Sequence, residues 1–586
     1  MDLPSTALKI TSLKGLDSSS INAFTVQGVN LIVLNNDQHI SVFHANCPHQ
    51  GSDLSTARLQ QGRLVCPMHQ WQFDQLTGER VDQPGSCLQA FDSLTYNGDL
   101  YIDAFGLKQF QQFRNSNVFQ STGPADQRIK HLPGPKALPL LGNMLQLKIS
   151  VLHLLLRDWS QRYGKIFRLK LPMGTAVVLS DSICIRQLLR ERPHSFRRPS
   201  NFPKLFSEIN GHGVFSEEGD NWQRQRRLLV PALNLAQLDD FFPKMNLGLE
   251  RLYQKWSNEA NQQKVSNICS DFANLTGDIA THVTLGHDIN MQQGKSDPLQ
   301  SAIRTILQRI TERSIAAIPY WRFIKLPKDR AVDRALVILH NAVNDFINHA
   351  KQRMTNQSQA NSFLDALVSW QDEQGKTLSD KEIQGNVLTM IAAGGDTTAH
   401  TMSWLLYFMC LHPHIQERMQ HEVDQFSGDP LKLHSADQFK HFPYIKASVQ
   451  EAMRLKPVAP VMFFEPCHDV TIENTHIPKG TLIMVATDQA GLDENHFSNA
   501  HEFAPERWLQ TNKKFVNHQS KTAIPFGYGP RLCPGRPMAL TQLNAVMAMI
   551  SKNFNCRLAD NHPPVEEKFE FTMQPNLLQV QFSLRD

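Results

Sequence analysis

No run in the 586 residues is apolar for long enough to cross a bilayer. The most apolar window, LPLLGNMLQLKISVLHLLL from Leu138, is broken by Gly142, Asn143, Gln146, Lys148 and His153, whereas a spanning helix needs about 20 predominantly apolar residues. The opening residues MDLPSTALKITSLKGL lack a basic stretch followed by an apolar one, so no signal peptide and no membrane anchor are expected. Nine cysteines show no paired spacing, which excludes a disulfide scaffold and suits a reducing, cytoplasmic location. Internal repeats are absent. So is any G-x-G-x-x-G run, and without that fingerprint nothing here is built to hold a dinucleotide.

Charge of one sign is also scarce. The net charge of +4 makes no case for nucleic acid. Its distribution is uneven: residues 1–105 hold ten acidic and five basic side chains, a balance of −5, which leaves +9 for residues 106–586. An acidic front on a basic body invites docking, with Arg224, Arg227 and Arg536 as candidate cations for it.

A chain of this length exceeds one ordinary core. Residues 1–105 consist of short β-rich runs: NLIVL from Asn30, ISVFH from Ile40, RLVC from Arg63 and LYIDAF from Leu100. Turn residues such as NGD at Asn97 separate them, as in a small all-β unit. Residues 106–130 are Gln/Asn-rich and weakly patterned, which reads as a linker. From residue 131 the pattern changes to helical periods, as in VLHLLLRDWSQRY, QRQRRLLVPAL and DKEIQGNVLTMIAAGGDTTAHTMSWLLYFMCLH. The expected fold class is multi-domain: a small all-β domain, then a large, mainly α-helical domain over 131–586 with minor β-sheet.

Two stretches carry the chemistry. The first, CPHQGSDLSTARLQQGRLVCPMH from Cys47 to His69, holds one Cys and one His in each of two short loops. A structural zinc site is the alternative, but zinc usually brings C-x2–4-C or H-x3–5-H pairs. One Cys and one His per loop suits a cluster with one iron on two thiolates and the other on two imidazoles. The run CPHQGSDL…LVCPMHQWQFDQLTGE closely resembles the Rieske family. That resemblance implies a 2Fe-2S cluster with Cys47 and Cys66 on one iron and His49 and His69 on the other. High-potential members add a disulfide between the loops; Ser52 and Met68 stand at those places, so the loops resemble the ferredoxin and oxygenase branch. Gln70 stands where the family usually has Gly. Such a cluster passes single electrons, so it needs an acceptor.

The second stretch is PFGYGPRLCPGRPMAL near the C-terminus. Phe526, Gly529, Arg531, Cys533 and Gly535 match F-x-x-G-x-R-x-C-x-G, and residues 131–586 resemble the cytochrome P-450 family. The resemblance implies haem b (iron protoporphyrin IX) with Cys533 as its thiolate ligand, Phe526 packed near the sulfur and Arg531 on a propionate. It also makes Trp222 and Arg226, at i, i+4 in GDNWQRQRRLL, propionate contacts. EAMR and FAPERW supply Glu451, Arg454 and Arg507, a supporting network rather than catalytic groups. In IAAGGDTTAHT, Gly394, Gly395, Asp396 and Thr397 are all mediocre or poor helix formers, and a helix made only for packing has no reason to collect them. The resemblance makes Asp396 and Thr397 the catalytic pair, delivering protons and hydrogen bonds to bound O2. Phe464 stands where many members have a propionate-binding Arg.

The reading that follows is a haem-thiolate monooxygenase. It inserts one atom of O2 into a hydrophobic small molecule, with electrons passing from a separate flavin-containing NAD(P)H reductase through the Rieske cluster to the haem. Pocket-lining candidates are residues 196–215, the helix before Gly394, and Val458–Phe464. A Rieske-type non-haem iron oxygenase is one rival, since Asp493, His496 and His501 have the D-x-x-H-x4-H spacing of its iron site. A haem and iron–sulfur redox sensor is the other.

Overall fold

The computed structural model describes residues 7–17, 20–36, 39–47, 53–60, 62–67, 71–78, 80–81, 88–104, 106–107, 127–172, 174–209, 211–233, 241–294, 298–314, 320–356, 360–371, 375, 377–509 and 518–585. Contacts divide the chain into two compact units. One comprises Met1–Asp126 with Val470–His476 and Tyr528–Pro534; the other comprises Gln127–Asp469, Ile477–Gly527 and Gly535–Asp586.

The described residues between 7 and 103 of the first unit carry ten short strands. Strands β2 (Ile21–Val26), β3 (Val29–Asn36), β4 (His39–His44) and β8 (Ala90–Phe91) form an antiparallel sheet in the order β2-β3-β4-β8. Strands β1 (Ala7–Ser12), β10 (Asp99–Asp103) and β9 (Ser93–Tyr96) form a second, and β5 (Arg58–Gln60), β6 (Arg63–Val65) and β7 (Gln72–Asp74) a third. The β2–β3 and β9–β10 turns place Gln27–Gly28 and Asn97–Gly98 at positive φ (48° and 79°, 48° and 82°). Consecutive left-handed residues make the tight turn that matches strand twist. Strand β3 is apolar without alternation because both its faces are covered. Ile32 and Leu34 share a core with Phe43, Cys47, Leu64, Cys66 and Phe73, while Leu31 and Val33 share another with Val42, Leu100 and Ile102.

The second unit is mainly helical. The elements that position its site are α1 (Leu152–Tyr163), α2 (Gly219–Ala232), α3 (Ile268–Leu285), α4 (Asp380–Leu411), α5 (Pro443–Leu455) and α6 (Arg536–Asn553). A five-stranded sheet runs β11 (Ile166–Leu171), β12 (Gly174–Leu179), β15 (Ile483–Ala486), β14 (Val461–Pro466), β13 (Phe196–Arg197), with only the β12–β15 pair parallel. A hairpin of β16 (Glu567–Phe569) and β17 (Met573–Pro575) turns through residues 570–572.

Helix α4 is the spine, about 48 Å long at 1.5 Å per residue. Its start is set by a capping box: Ser379 N–H donates to Glu382 Oε2 at 2.9 Å, and Glu382 N–H donates to Ser379 Oγ at 3.4 Å. It is buried over most of its circumference, from Ile383 through Met409, as a helix inside a large domain must be. Packing on α3 does not demand the glycine at 394, where an added Cβ would meet the Ala280 methyl in ordinary contact at 3.4 Å.

Candidate functional site

The two cysteines of the N-terminal loops stand where strands end. Cys47 follows β4 and Cys66 directly follows β6. Both are buried, at 2% and 0% exposure, in the same apolar core with Ala45, Leu54 and Leu64. An antiparallel bridge between Asn46 and Asp53 closes the base of the first loop, and Cys66 N–H donates to Trp71 O at 2.8 Å across the second. Arg80 stacks on Trp71, its guanidinium carbon 3.5 Å from the ring centroid. Two buried thiols sharing one apolar core are the soft half of an iron–sulfur donor set, and they fit it. His49 and His69 lie outside the described residues, as do Ser52, Met68 and Gln70.

In the second unit an apolar cavity holds about 670 Å³ free of protein atoms, part of it open to solvent. Its walls include Phe206, Ile209, Phe215, Leu388, Ile391 and Phe571. The one hydroxyl among the described lining residues, Thr389, donates to Gly385 O at 2.7 Å. Residues Leu388–Ala393 of α4 run straight from this wall into Gly394, Gly395, Asp396 and Thr397. The helix continues unbroken through these four; room beside it comes from missing side chains rather than from a gap in the backbone. At Gly395, which is buried, an added Cβ would have no protein atom within 4 Å. Thr397 Oγ1 donates to Ala393 O at 2.7 Å and Thr401 Oγ1 to Thr397 O at 2.8 Å, the back-bonding by which such side chains stay on a helix.

Two glycines and an amide seat the facing loop on α4. A Cβ at Gly213 would stand 2.3 Å from Gly385 O, and one at Gly385 would stand 2.4 Å from the His212 carbonyl carbon. No other residue permits that approach. Val214 N–H donates to Asn386 Oδ1 at 2.8 Å, and Asn386 Nδ2 donates to Gln225 Oε1 at 2.8 Å. The aromatic face above is continuous: Phe215 lies 5.6 Å from Phe206, 5.8 Å from Phe202 and 6.0 Å from Phe571, with the Arg198 guanidinium 4.4 Å from its ring.

The haem-directed residues fall on three segments. Trp222 and Arg226, both buried, share a face of α2 with the guanidinium carbon 5.9 Å from the indole. Phe526 packs at the edge of the main core under the Arg536 guanidinium, 5.9 Å away. Gly527 and Gly529 take left-handed φ values of 76° and 71°, which makes the tight loop before Cys533 possible. Gly529–Arg531 form one 3-10 turn, closed by Leu532 N–H on Gly529 O at 3.0 Å. Cys533 is exposed, in contrast to the other seven cysteines among the described residues. Cysteine is among the most buried residue types, so a presented thiol on a glycine-shaped loop fits a ligand for iron. Such a donor suits a haem.

The other propositions resolve by geometry. Glu451, Arg454 and Arg507 are fully buried: Arg454 grips the Glu451 carboxylate at 2.7 and 2.8 Å, and Arg507 Nε and Trp508 Nε1 donate to it at 2.8 and 2.9 Å. Their remaining donors take the carbonyls of Gly491, Ser498, Asn499, Ala500 and Glu502. This is where the D-x-x-H-x4-H segment goes. Its backbone serves that network, and although His496 Nδ1 stands 3.8 Å from Asp493 Oδ2, the ligand atoms of Asp493, His496 and His501 do not all lie within 4.8 Å of one another. The non-haem iron site is therefore not formed. Val458–Phe464 contributes no side chain to the cavity, because it enters the sheet as β14. Phe464 is buried there beneath the Arg192 guanidinium, 4.6 Å from its ring. Arg224, one of the candidate docking cations, pairs with Glu382. Sequence reasoning missed Phe571, Ile303, Ile306 and Leu339 of the cavity wall, which lie far along the chain and carry no motif.

Comparison with known proteins agrees with this geometry. The Rieske [2Fe-2S] domain model matches residues 7–92 and the cytochrome P-450 model residues 132–582. Relatives include the chloroplastic protein lutein deficient 5 of Arabidopsis thaliana, 25% identical over 463 residues, covering 77% of this chain and 76% of that protein. The mitochondrial 1,25-dihydroxyvitamin D(3) 24-hydroxylase of Rattus norvegicus is 26% identical over 454 residues, 75% and 86% of the two chains. A bifunctional cytochrome P-450/NADPH–P-450 reductase of Gibberella moniliformis is 24% identical over 444 residues, 74% of this chain but 39% of that protein. The chain belongs to the cytochrome P-450 family, as a haem-thiolate monooxygenase that carries a Rieske 2Fe-2S domain ahead of its haem domain.

Proposed function

We propose that the chain oxygenates an apolar small molecule held in the Phe206–Phe571 cavity, with electrons relayed from a separate flavin-containing NAD(P)H reductase through the Rieske cluster to the haem. In this reading residues 1–105 are the relay domain, residues 106–130 the linker and residues 131–586 the catalytic domain, in the cytoplasm. Cys47, Cys66, His49 and His69 hold the cluster. Cys533 holds the haem iron, Phe526 packs against the macrocycle, and Trp222, Arg226 and Arg531 hold the propionates. The haem supplies O2 binding and cleavage; the roles below belong to the chain.

One observation carries the reading: the apolar wall and the Asp396–Thr397 pair are consecutive segments of a single helix. Whatever lies against Leu388–Ala393 is therefore held at a fixed rise from both side chains. Binding is driven by exclusion of water from the aromatic and aliphatic walls, and none of the described lining residues carries a charge to anchor a polar headgroup. With its own proton committed to Ala393 O, Thr397 Oγ1 presents its lone pairs. It acts as an acceptor that holds a hydroxyl or water on that face, and it donates only after χ1 rotation. Asp396, half-buried beside it, is the group that exchanges protons with water. The reductase-fused relative shows one way in which such a haem domain is supplied with electrons. Here the acidic relay domain takes that place as the entry point.

The test is reduction of the purified chain under carbon monoxide, with electron paramagnetic resonance of the cluster and turnover with NADPH and a foreign ferredoxin reductase. Expected are the thiolate-ligated carbonyl band, its loss in Cys533→Ala, and product formation that Cys47→Ala abolishes. Turnover that survives Cys47→Ala would overturn the relay. In Thr397→Val, reductant consumption is expected to continue while product falls at least tenfold, a loss of about 1.4 kcal/mol or more in the productive step.

A further inference from the structure

We propose that Thr572 and His400 form a positioning pair that fixes Phe571 as one wall of the apolar cavity, and so set the length of substrate it accepts. This rests on reading that cavity as the substrate site. Phe571 sits at the tip of the β16–β17 hairpin, whose strands are three residues each. A hairpin that short does not define its own tip. Phe571's ring contacts are apolar, edge-on to Phe215 at 6.0 Å and 63°, and apolar contact has no direction. Direction comes from three polar ties. At the base, Glu567 bonds His153 Nε2 at 2.7 Å and pairs with Lys456. On the return strand, Met573 N–H donates to Val458 O at 2.8 Å. At the tip itself, Thr572 Oγ1 and His400 Nδ1 are 2.8 Å apart, both residues buried.

His400 lies on α4, three residues beyond Thr397 and on the same helix as Leu388–Ala393. The bond therefore registers the tip of one cavity wall against the helix that forms another wall and carries the proton-handling pair. Breaking it leaves a buried hydroxyl and a buried ring nitrogen unmatched, so the tip has a single favoured position. Burial holds the imidazole neutral, its pKa pushed down to about 4 against the opposing pull of Glu570. A neutral ring keeps one donor and one acceptor, so either direction of the bond satisfies both groups.

The test uses the full chain loaded with haem, and 1-alkylimidazoles of increasing tail length titrated by the shift of the haem absorbance. Thr572→Val is isosteric and removes the bond; Thr572→Ser keeps it; Phe571→Ala removes the wall. Thr572→Val is expected to weaken binding of the best-fitting tail about tenfold, the order of a one-methylene misfit, and to move the preference to longer tails. Thr572→Ser should retain the parental profile, and Thr572→Val combined with Phe571→Ala should match Phe571→Ala alone. A purely structural role lowers the melting temperature without moving the tail-length preference. If Thr572→Val keeps the parental preference while Phe571→Ala changes it, the pairing proposal falls and the cavity reading stands. If neither Phe571→Ala nor a blocking Ala393→Phe moves the profile, the cavity is not the substrate site and both fall. Should Thr572→Val fail to take up haem, His400→Phe breaks the same bond from the helix side and is judged by the same outcomes.

Discussion

Replacing Glu451 by Gln changes one oxygen to an amide nitrogen and almost nothing in shape. In the protein that carboxylate accepts two bonds from Arg454, one each from Arg507 and Trp508, and a fifth from Ala504 N–H at 3.0 Å. None of Glu451, Arg454 and Arg507 has measurable side-chain exposure. The amide would turn a donor toward at least one guanidinium and leave two cations without a counter-charge away from water. Removing one partner of a buried ion pair costs about 3–5 kcal/mol, a large fraction of the 5–15 kcal/mol typical of a folded domain. The assay is urea unfolding of the haem-loaded chain, followed by the haem band and by Trp508 fluorescence, since that indole donates directly to the altered group. Expected is a midpoint lowered by an amount worth about 3 kcal/mol or more, with haem lost in the same transition. A control at the exposed Lys440–Asp437 pair should leave the midpoint in place. If Glu451→Gln falls within 1 kcal/mol of the parent, the network acts as a surface pair does, and the claim that it frames the haem domain is refuted.

Other expected outcomes follow from the same geometry. Gly385→Ala brings a methyl against the His212 and Gly213 backbone; the loop must shift, costing about 1–3 kcal/mol and altering the tail-length profile of imidazole binding, whereas an unchanged profile would show that the loop does not shape the cavity. Ala393→Phe places a ring in the cavity mouth without touching the carbonyl that Thr397 uses, so apolar ligand binding should weaken at least tenfold while the thermal midpoint stays within a few degrees. Acid stability should depend on Glu567: burial alone would raise its carboxyl, but the His153 hydrogen bond and the charges of Lys456 and Arg157 outweigh this and hold its pKa at about 2, below the usual 4.5. A depressed carboxylate stabilises the fold fully above pH 4.5 and loses that contribution as pH falls toward 2, about 3 kcal/mol at most. Glu567→Gln should flatten the acid limb in that window, and an unchanged limb would remove the ion cluster from the account.

Both cofactor loops were legible because their chemistry is local. One Cys and one His per loop, or a glycine four residues before and another two residues after a Cys, are demands that a few consecutive residues must meet, so they leave a trace in order as well as in space. The oxygen-motif helix was legible for the opposite reason: Gly394–Gly395–Asp396–Thr397 violates helix propensity, and a violation kept within a 32-residue helix points to something other than packing. The cavity was only half legible. Residues 206–215 and 388–393 were expected, but Phe571 reaches the same wall from a hairpin more than 170 residues downstream of Ala393. An alternating FEFTM run looks the same whether its aromatic faces core or ligand. The D-x-x-H-x4-H spacing misled for a related reason. Spacing fixes ligands only when side chains converge, and there the backbone carbonyls were recruited instead, by two guanidinium groups whose own signal lay in EAMR and FAPERW.

The same distinction bears on Phe464. A missing propionate-binding Arg reads in sequence as a lost charge, yet the fold brings Arg192 over the substituted ring, with the guanidinium buried and bonded to Glu218 at 3.1 Å. Burial pushes that guanidinium down to about 9, aided by the charge of Arg198 and opposed by Glu218, so the cation remains charged near neutral pH. Its strongest demand is for Glu218. If the charge serves the fold, Arg192→Lys should lower stability by about 1–3 kcal/mol through the lost hydrogen-bond geometry, and haem affinity should be unchanged at fixed folded fraction. A haem dissociation rate that rises more than tenfold in a variant with the parental melting temperature would refute this, because it would mean that the cation displaced from strand β14 in sequence still serves the propionate in space.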